Sequence, residues 1–162
     1  MRRIDVHQHV LPPAYTCCLK SKGIHAPGRR ELPQRSPEHA IALMDTYAVE
    51  TAALSLSTPG TWLGDGAEAA AMAGRSTSAP RDSSRTAPTG AGTSSLPAPS
   101  VPGLPLFAAR PDRVLFGTDW PFAPEMAVAF FTGEYDGCPG LDTGSHHAID
   151  RNHAHALFPR LS

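Results

Sequence analysis

The chain has 162 residues, a net charge of −1 and 41% apolar residues. That is an ordinary globular make-up, enough for one domain with its own core. The near-zero charge offers nothing to nucleic acid or to an acidic membrane face, and no apolar run approaches the ~18 residues that span a bilayer. Cys17, Cys18 and Cys138 form neither a CxxC pair nor an even framework. They point to a reduced, cytoplasmic compartment and receive no functional role. The N-terminus MRRIDVHQHV has two arginines but no apolar stretch behind them, so it does not read as a secretory leader.

Residues 2–10 alternate in type. Ile4, Val6, Gln8 and Val10 face one way, and Asp5, His7 and His9 the other. Period two is the signature of a strand, and the prolines of LPP at 11–13 end it. Residues 36–48 read as a helix: Ser36 is a good N-cap, Pro37 suits the first helical position, and Glu38 suits the positive end of the dipole. Ile41, Met44 and Ala48 then recur at helical spacing. Residues 51–57, TAALSLS, read as a second strand closed by a Thr-Pro-Gly turn. Strand, helix, strand in this order implies a parallel pair. A further helix is expected over 67–74.

The texture changes at residue 75. From 75 to 105, Ser, Thr, Pro, Gly and Ala fill 24 of 31 positions and no aromatic occurs. Such a stretch cannot bury enough apolar surface to offset its ordering entropy and is expected to be disordered. The chain therefore divides into 1–74, a low-complexity insert over 75–105, and 106–162. In the last part, RVLFGTDWP at 113–121 is a buried-strand pattern ending in polar residues. Residues 124–134 and 146–158 read as helices.

Two features could carry chemistry. On a strand, i and i+2 project from one face, so His7 and His9 can reach one cation. Alone, the pair describes the wet face of a strand at least as well. Three neighbours favour a metal: an apolar strand before it, a proline stop after it, and Asp5 on the same face as a supporting group. Asp119 stands at the C-terminal end of a second buried strand, where sites gather in parallel α/β folds, although an aspartate there also caps turns. His153 and His155 are two apart on an expected helix and cannot face one ion together. His25, His39, His146 and His147 read as surface or helix residues. None of these six receives a role.

IDVHQHVLPPAY, RPDRVLFGTDWPFAP and IDRNHAHALFPRL, in this order, resemble the amidohydrolase-related family of the aminocarboxymuconate-semialdehyde decarboxylase type. The resemblance covers about 1–74 and 106–162. It implies a distorted TIM barrel, here partial: three parallel strands (the first, second and eighth, which are neighbours in a closed barrel) with flanking helices. It also implies a divalent metal, zinc or else manganese, bound by His7, His9 and Asp119, with Asp119 acting as the catalytic carboxylate as well. The activity implied is hydrolysis or decarboxylation of a small carboxylated or amide-like substrate, in a protein that could form a homo-oligomer. The family's further histidines, from its fifth and sixth strands, have no counterpart, since no histidine lies between His39 and His146. A full barrel takes ~250 residues. The Ser/Pro/Arg/Thr/Ala-rich insert is the kind of text that out-of-frame reading of a GC-rich gene yields. It suggests a frameshift near residue 75 and a deletion that restores the frame by about 106. The alternative to an enzyme is thus a truncated, non-catalytic remnant with weak metal binding.

Overall fold

The computed structural model describes residues 2–77, 86–88 and 111–161. The first strand, β1 (Arg3–Val10), pairs in parallel with β2 (Val49–Leu56), and β2 pairs in parallel with a short β3 (Thr86–Pro88). The helix α2 (Pro37–Thr46) makes the crossover between β1 and β2, as the strand–helix–strand pattern predicts. Ser36 caps it by accepting a hydrogen bond from the His39 N–H at 3.1 Å. The helix α3 (Gly66–Thr77) follows β2. β3 and the end of α3 fall inside the low-complexity stretch. The rest of that stretch lies outside the described residues, and so does the disorder expected of it.

One helix was not expected. α1 (Pro13–Ser21) begins straight after the strand-ending prolines. Pro13 occupies the first turn, where a missing N–H costs nothing. Tyr15 and Leu19, one turn apart, are fully buried against Met72 of α3. The Tyr15 hydroxyl also donates to the Ser57 and Gly60 carbonyls, at 2.9 and 3.2 Å, tying α1 to the loop after β2.

The segment 114–120 runs beside β1 on the edge that β2 leaves free. Val6 N–H donates to Phe116 O at 3.0 Å, Asp119 N–H to His7 O at 2.8 Å, and His9 N–H to Trp120 O at 2.8 Å. The strand predicted over 113–119 is therefore extended and correctly placed, but it is not a regular ladder strand. Two of its donors are diverted: Phe116 N–H bonds Ile149 O at 3.3 Å, and Thr118 N–H bonds the Asp5 carboxylate at 3.2 Å.

The C-terminal part is helical. α4 (Glu125–Asp136) is followed by α5 (Thr143–His147), a π turn (Ala148–Asn152) and α6 (His153–Leu157). The single helix expected over 146–158 is thus interrupted by one wide turn, which carries Ile149 and Asp150 inward. Ile4 and Val6 pack with Leu115 and Ala154 on the outer face of β1. Met44, Val49, Ala52, Val114, Phe116 and Ile149 form a second cluster. Burying each large side chain of this kind contributes about 1.5–3 kcal/mol. Leu115 belongs to the first cluster and its neighbours Val114 and Phe116 to the second, so the 114–120 segment contributes to both. Among the described residues, no helix is long and apolar enough to cross a membrane.

Candidate metal centre

The alternation in β1 has the consequence that the sequence suggests. With Ile4 and Val6 turned to the apolar side, His7 and His9 project from the opposite face toward the end of the 114–120 segment. There they meet Asp119. The two Nε2 atoms lie 3.1 Å apart, and Asp119 Oδ1 lies 3.1 Å from His9 Nε2 and 3.2 Å from His7 Nε2. No other His, Cys, Asp or Glu among the described residues joins this group. The three residues come from positions 7, 9 and 119, so only the pairing of β1 with 114–120 assembles them.

Asp119 has φ +58°, the left-handed region that costs a side-chain-bearing residue energy and that Asp tolerates better than most. This turn aims the carboxylate across at the imidazoles instead of along the segment. A non-glycine residue held there is a common mark of a functional position.

The electrostatics are those of a closely packed His–His–carboxylate set. Burial pushes the Asp119 carboxyl up, but hydrogen bonds from His7 and His9 and the charge of both rings override it and hold it far below its ordinary value. The hydrogen bond to Asp119 raises His7 above the usual imidazole range, against the effect of its own burial. Asp119 is thus an ionised carboxylate ready to ligate.

The donor set fits a small divalent cation. An ion ~2.0–2.1 Å from three ligands at angles of about 90–110° spaces those ligands about 2.9–3.4 Å apart. The observed 3.1–3.2 Å lies inside that range. The chemistry fits as well. Each ring turns Nε2 toward the other ring and the carboxylate, and with those nitrogens unprotonated the three form a usable donor set for such a cation.

Three supporting residues escape a reading of the sequence alone. Ser55 of β2 is the register partner of His9, and its Oγ lies 3.2 Å from His9 Nδ1. A polar residue near the C-terminal end of an otherwise apolar strand was the available signal. Thr118 binds Asp5 through both its N–H and its hydroxyl, the latter at 2.6 Å. Phe122 meets the His9 ring edge-on with centroids 5.4 Å apart. Asp5 shares the face of the histidines but touches neither imidazole. It accepts instead from His7 N–H at 3.0 Å, from the Gln8 side-chain amide at 3.0 Å and from Thr118.

The remaining histidines sit elsewhere. His153 Nδ1 lies 2.8 Å from Val114 O, and His155 Nε2 lies 3.3 Å from an Arg151 guanidinium nitrogen. His39 pairs with Glu125 and meets the edge of Trp120.

Comparison with known proteins gives partial matches of sequence and one match of fold. No family model matches the chain. Over 61 residues it is 49% identical to the decarboxylase yanB of Aspergillus niger and 44% identical to the decarboxylase macB of Penicillium terrestre. Each match takes in 38% of this chain, and only 16% and 18% of the relatives' own lengths. A crystal structure of an amidohydrolase II superposes with a TM-score of 0.69 at 15% identity, covering 96% of this chain and 99% of that one. The chain is thus similar to two decarboxylases over part of its sequence and to an amidohydrolase II in fold. Its short sheet, parallel throughout, and its helical cover are those of an α/β protein, and the amidohydrolase likeness at this identity is one of fold.

Proposed function

We propose that this chain is a metal-dependent carboxy-lyase of the amidohydrolase superfamily, acting on a small carboxylated substrate and built on an internally truncated barrel. The observation that carries this reading is the convergence of His7 Nε2, His9 Nε2 and Asp119 Oδ1 to within 3.2 Å of one another. The two fungal relatives named as decarboxylases favour carboxy-lyase chemistry over hydrolysis of an amide-like substrate. In the truncated barrel, the 114–120 segment, β1 and β2 stand for the eighth, first and second strands, and the residues between about 75 and 105 replace the others.

His7, His9 and Asp119 would hold the ion, and zinc, which takes two-imidazole, one-carboxylate sets in catalytic sites, is the ion proposed, with manganese as the alternative. A divalent ion held there supplies Lewis-acid polarisation of the substrate's oxygens. The chain's own residues do the rest. Asp119, ionised and placed by its left-handed backbone, would neutralise part of the ion's charge and is the carboxylate set beside the reacting atoms. Ser55 fixes the ring of His9, and Phe122 gives the site an apolar wall.

A second reading, a non-catalytic remnant that keeps metal binding, is favoured by one specific observation. Among the described residues, no fourth His, Cys, Asp or Glu joins the three, whether to ligate the ion or to move a proton beside it. Loss of a general acid–base group alone typically lowers rates about 10²–10⁴-fold. The two readings part on one assay. Carbon dioxide release from a panel of small carboxylic acids, stimulated by zinc or manganese and abolished in His9→Ala, supports the enzyme. Stoichiometric metal binding without turnover assigns the remnant.

A further inference from the structure

We propose that Asp5 is the positioning residue of the metal centre: its buried carboxylate clasps Thr118 and thereby holds Asp119 opposite the two histidines. This inference rests on the metal-site reading above.

Asp5 is fully buried and accepts four hydrogen bonds on its two oxygens. Oδ1 takes His7 N–H at 3.0 Å and Thr118 N–H at 3.2 Å. Oδ2 takes the Gln8 side-chain amide at 3.0 Å and the Thr118 hydroxyl at 2.6 Å. The Thr118 hydroxyl in turn accepts Trp120 N–H at 3.3 Å. The residues on either side of Asp119 are therefore both tied to one carboxylate, Thr118 directly and Trp120 through the hydroxyl. A left-handed residue persists only where its surroundings over-determine it. Here the bonds at 118 and 120, together with Asp119 N–H to His7 O at 2.8 Å, supply that constraint.

The same oxygen that holds Thr118 also holds the backbone of His7, so both halves of the cluster are referred to a single buried group. β1 departs from regular pairing with β2 between Asp5 and Gln8, the stretch in which the carboxylate folds back onto its own strand. A burial of this kind is costly unless every lone pair is used, and a carboxylate offers enough acceptor sites for four donors where an amide does not. The arrangement thus explains why an acid, and not another apolar residue, stands at position 5. It also explains why position 118 carries a hydroxyl.

The test uses the full chain, stripped of metal, with cobalt(II) as the probe, and compares wild type with Thr118→Val, Thr118→Ser and Asp5→Asn. Two signals are read: the cobalt ligand-field spectrum with its binding curve, and hydrogen-exchange protection of the Asp119 amide in the metal-free chain. The expected result for Thr118→Val is a loss of cobalt affinity of about 10–100-fold, as for other groups that orient metal ligands, with altered band positions and a collapse of Asp119 protection. Thr118→Ser should restore all three. Asp5→Asn should fall between them, since an amide can satisfy part of the donor set. Wild-type affinity, spectrum and protection in Thr118→Val, even with a lower melting point, would overturn the proposal and leave the clasp as packing. If wild type binds no cobalt, the metal reading fails, while the exchange data on the metal-free chain still decide whether Asp5 and Thr118 hold Asp119. Should Thr118→Val not fold, Thr118→Ser against Asp5→Asn gives the same comparison.

Discussion

Ser55 Oγ lies 3.2 Å from His9 Nδ1 and 3.4 Å from the Gln8 carbonyl, and Ser55 and His9 are register partners across β1 and β2. A hydroxyl has one proton. Donating it to the Gln8 carbonyl leaves Oγ to accept from Nδ1–H of His9. In a neutral His9 ring this favours the tautomer whose Nε2 lone pair faces the side where His7 and Asp119 stand, the form that binds a metal.

Ser55→Ala should therefore weaken zinc binding by about 10-fold or more and leave the fold intact, while Ser55→Thr should keep most of the affinity. Competition against a chromophoric chelator measures this. An unchanged affinity in Ser55→Ala would remove Ser55 from the centre.

The metal-free chain should carry a pH signature of the cluster. His7 is raised above 6.5 by its bond to Asp119, so its contribution to stability is full below that unfolded value and is lost as pH rises through the folded value. Asp119 is held below 3.8 despite burial, so its contribution is present above that value and is lost as pH falls through the folded one. Stability from the pair is thus greatest between about pH 4 and 6.5. The urea midpoint, followed across pH in the presence of a chelator, should show this maximum, and Asp119→Asn should flatten it. Bound zinc should move the optimum upward, because the ligand is the unprotonated ring.

Arg3 ties the N-terminal strand to the C-terminal helices. It pairs with Asp136 and with the buried Asp150, the latter at 3.3 Å, and its guanidinium lies 5.0 and 5.6 Å from the ring centres of Phe116 and Tyr135. The Tyr135 hydroxyl donates to the same Asp150 oxygen at 3.1 Å. Arg3→Met should strand a buried carboxylate and destabilise the fold by about 3 kcal/mol. It should leave the positions of His7, His9 and Asp119 alone. Chemical denaturation gives the first quantity, and cobalt band positions check the second.

The legible parts of this molecule were those that depend on local pattern. The polar face of β1 follows from strict alternation, and the cap and first turn of α2 from Ser36-Pro37-Glu38. Spacing put His7 and His9 on one face of a strand and the apolar run put Asp119 at a strand end, but only the family resemblance put the three at one ion. What was not legible depends on which distant group wins a backbone donor. Thr118 N–H goes to Asp5, and Phe116 N–H goes to Ile149, so an apparent strand loses its ladder. Nor does sequence show that a wide turn at Ala148–Asn152 delivers Asp150 to Arg3. α1 was hidden because Pro12-Pro13 reads as a stop, although proline also opens helices. Ser55 becomes visible only once the register of β2 against β1 is fixed.

The central claim is that residues 7, 9 and 119 hold one divalent ion in the chain as it stands. Calorimetric titration of zinc into the metal-stripped chain tests it most directly, with His9→Ala and Asp119→Ala alongside. The account predicts one saturable ion per chain and a loss of affinity of at least about 100-fold in either variant, as expected when one of only three protein ligands is removed. Absence of saturable binding, or binding that both variants retain, would contradict it.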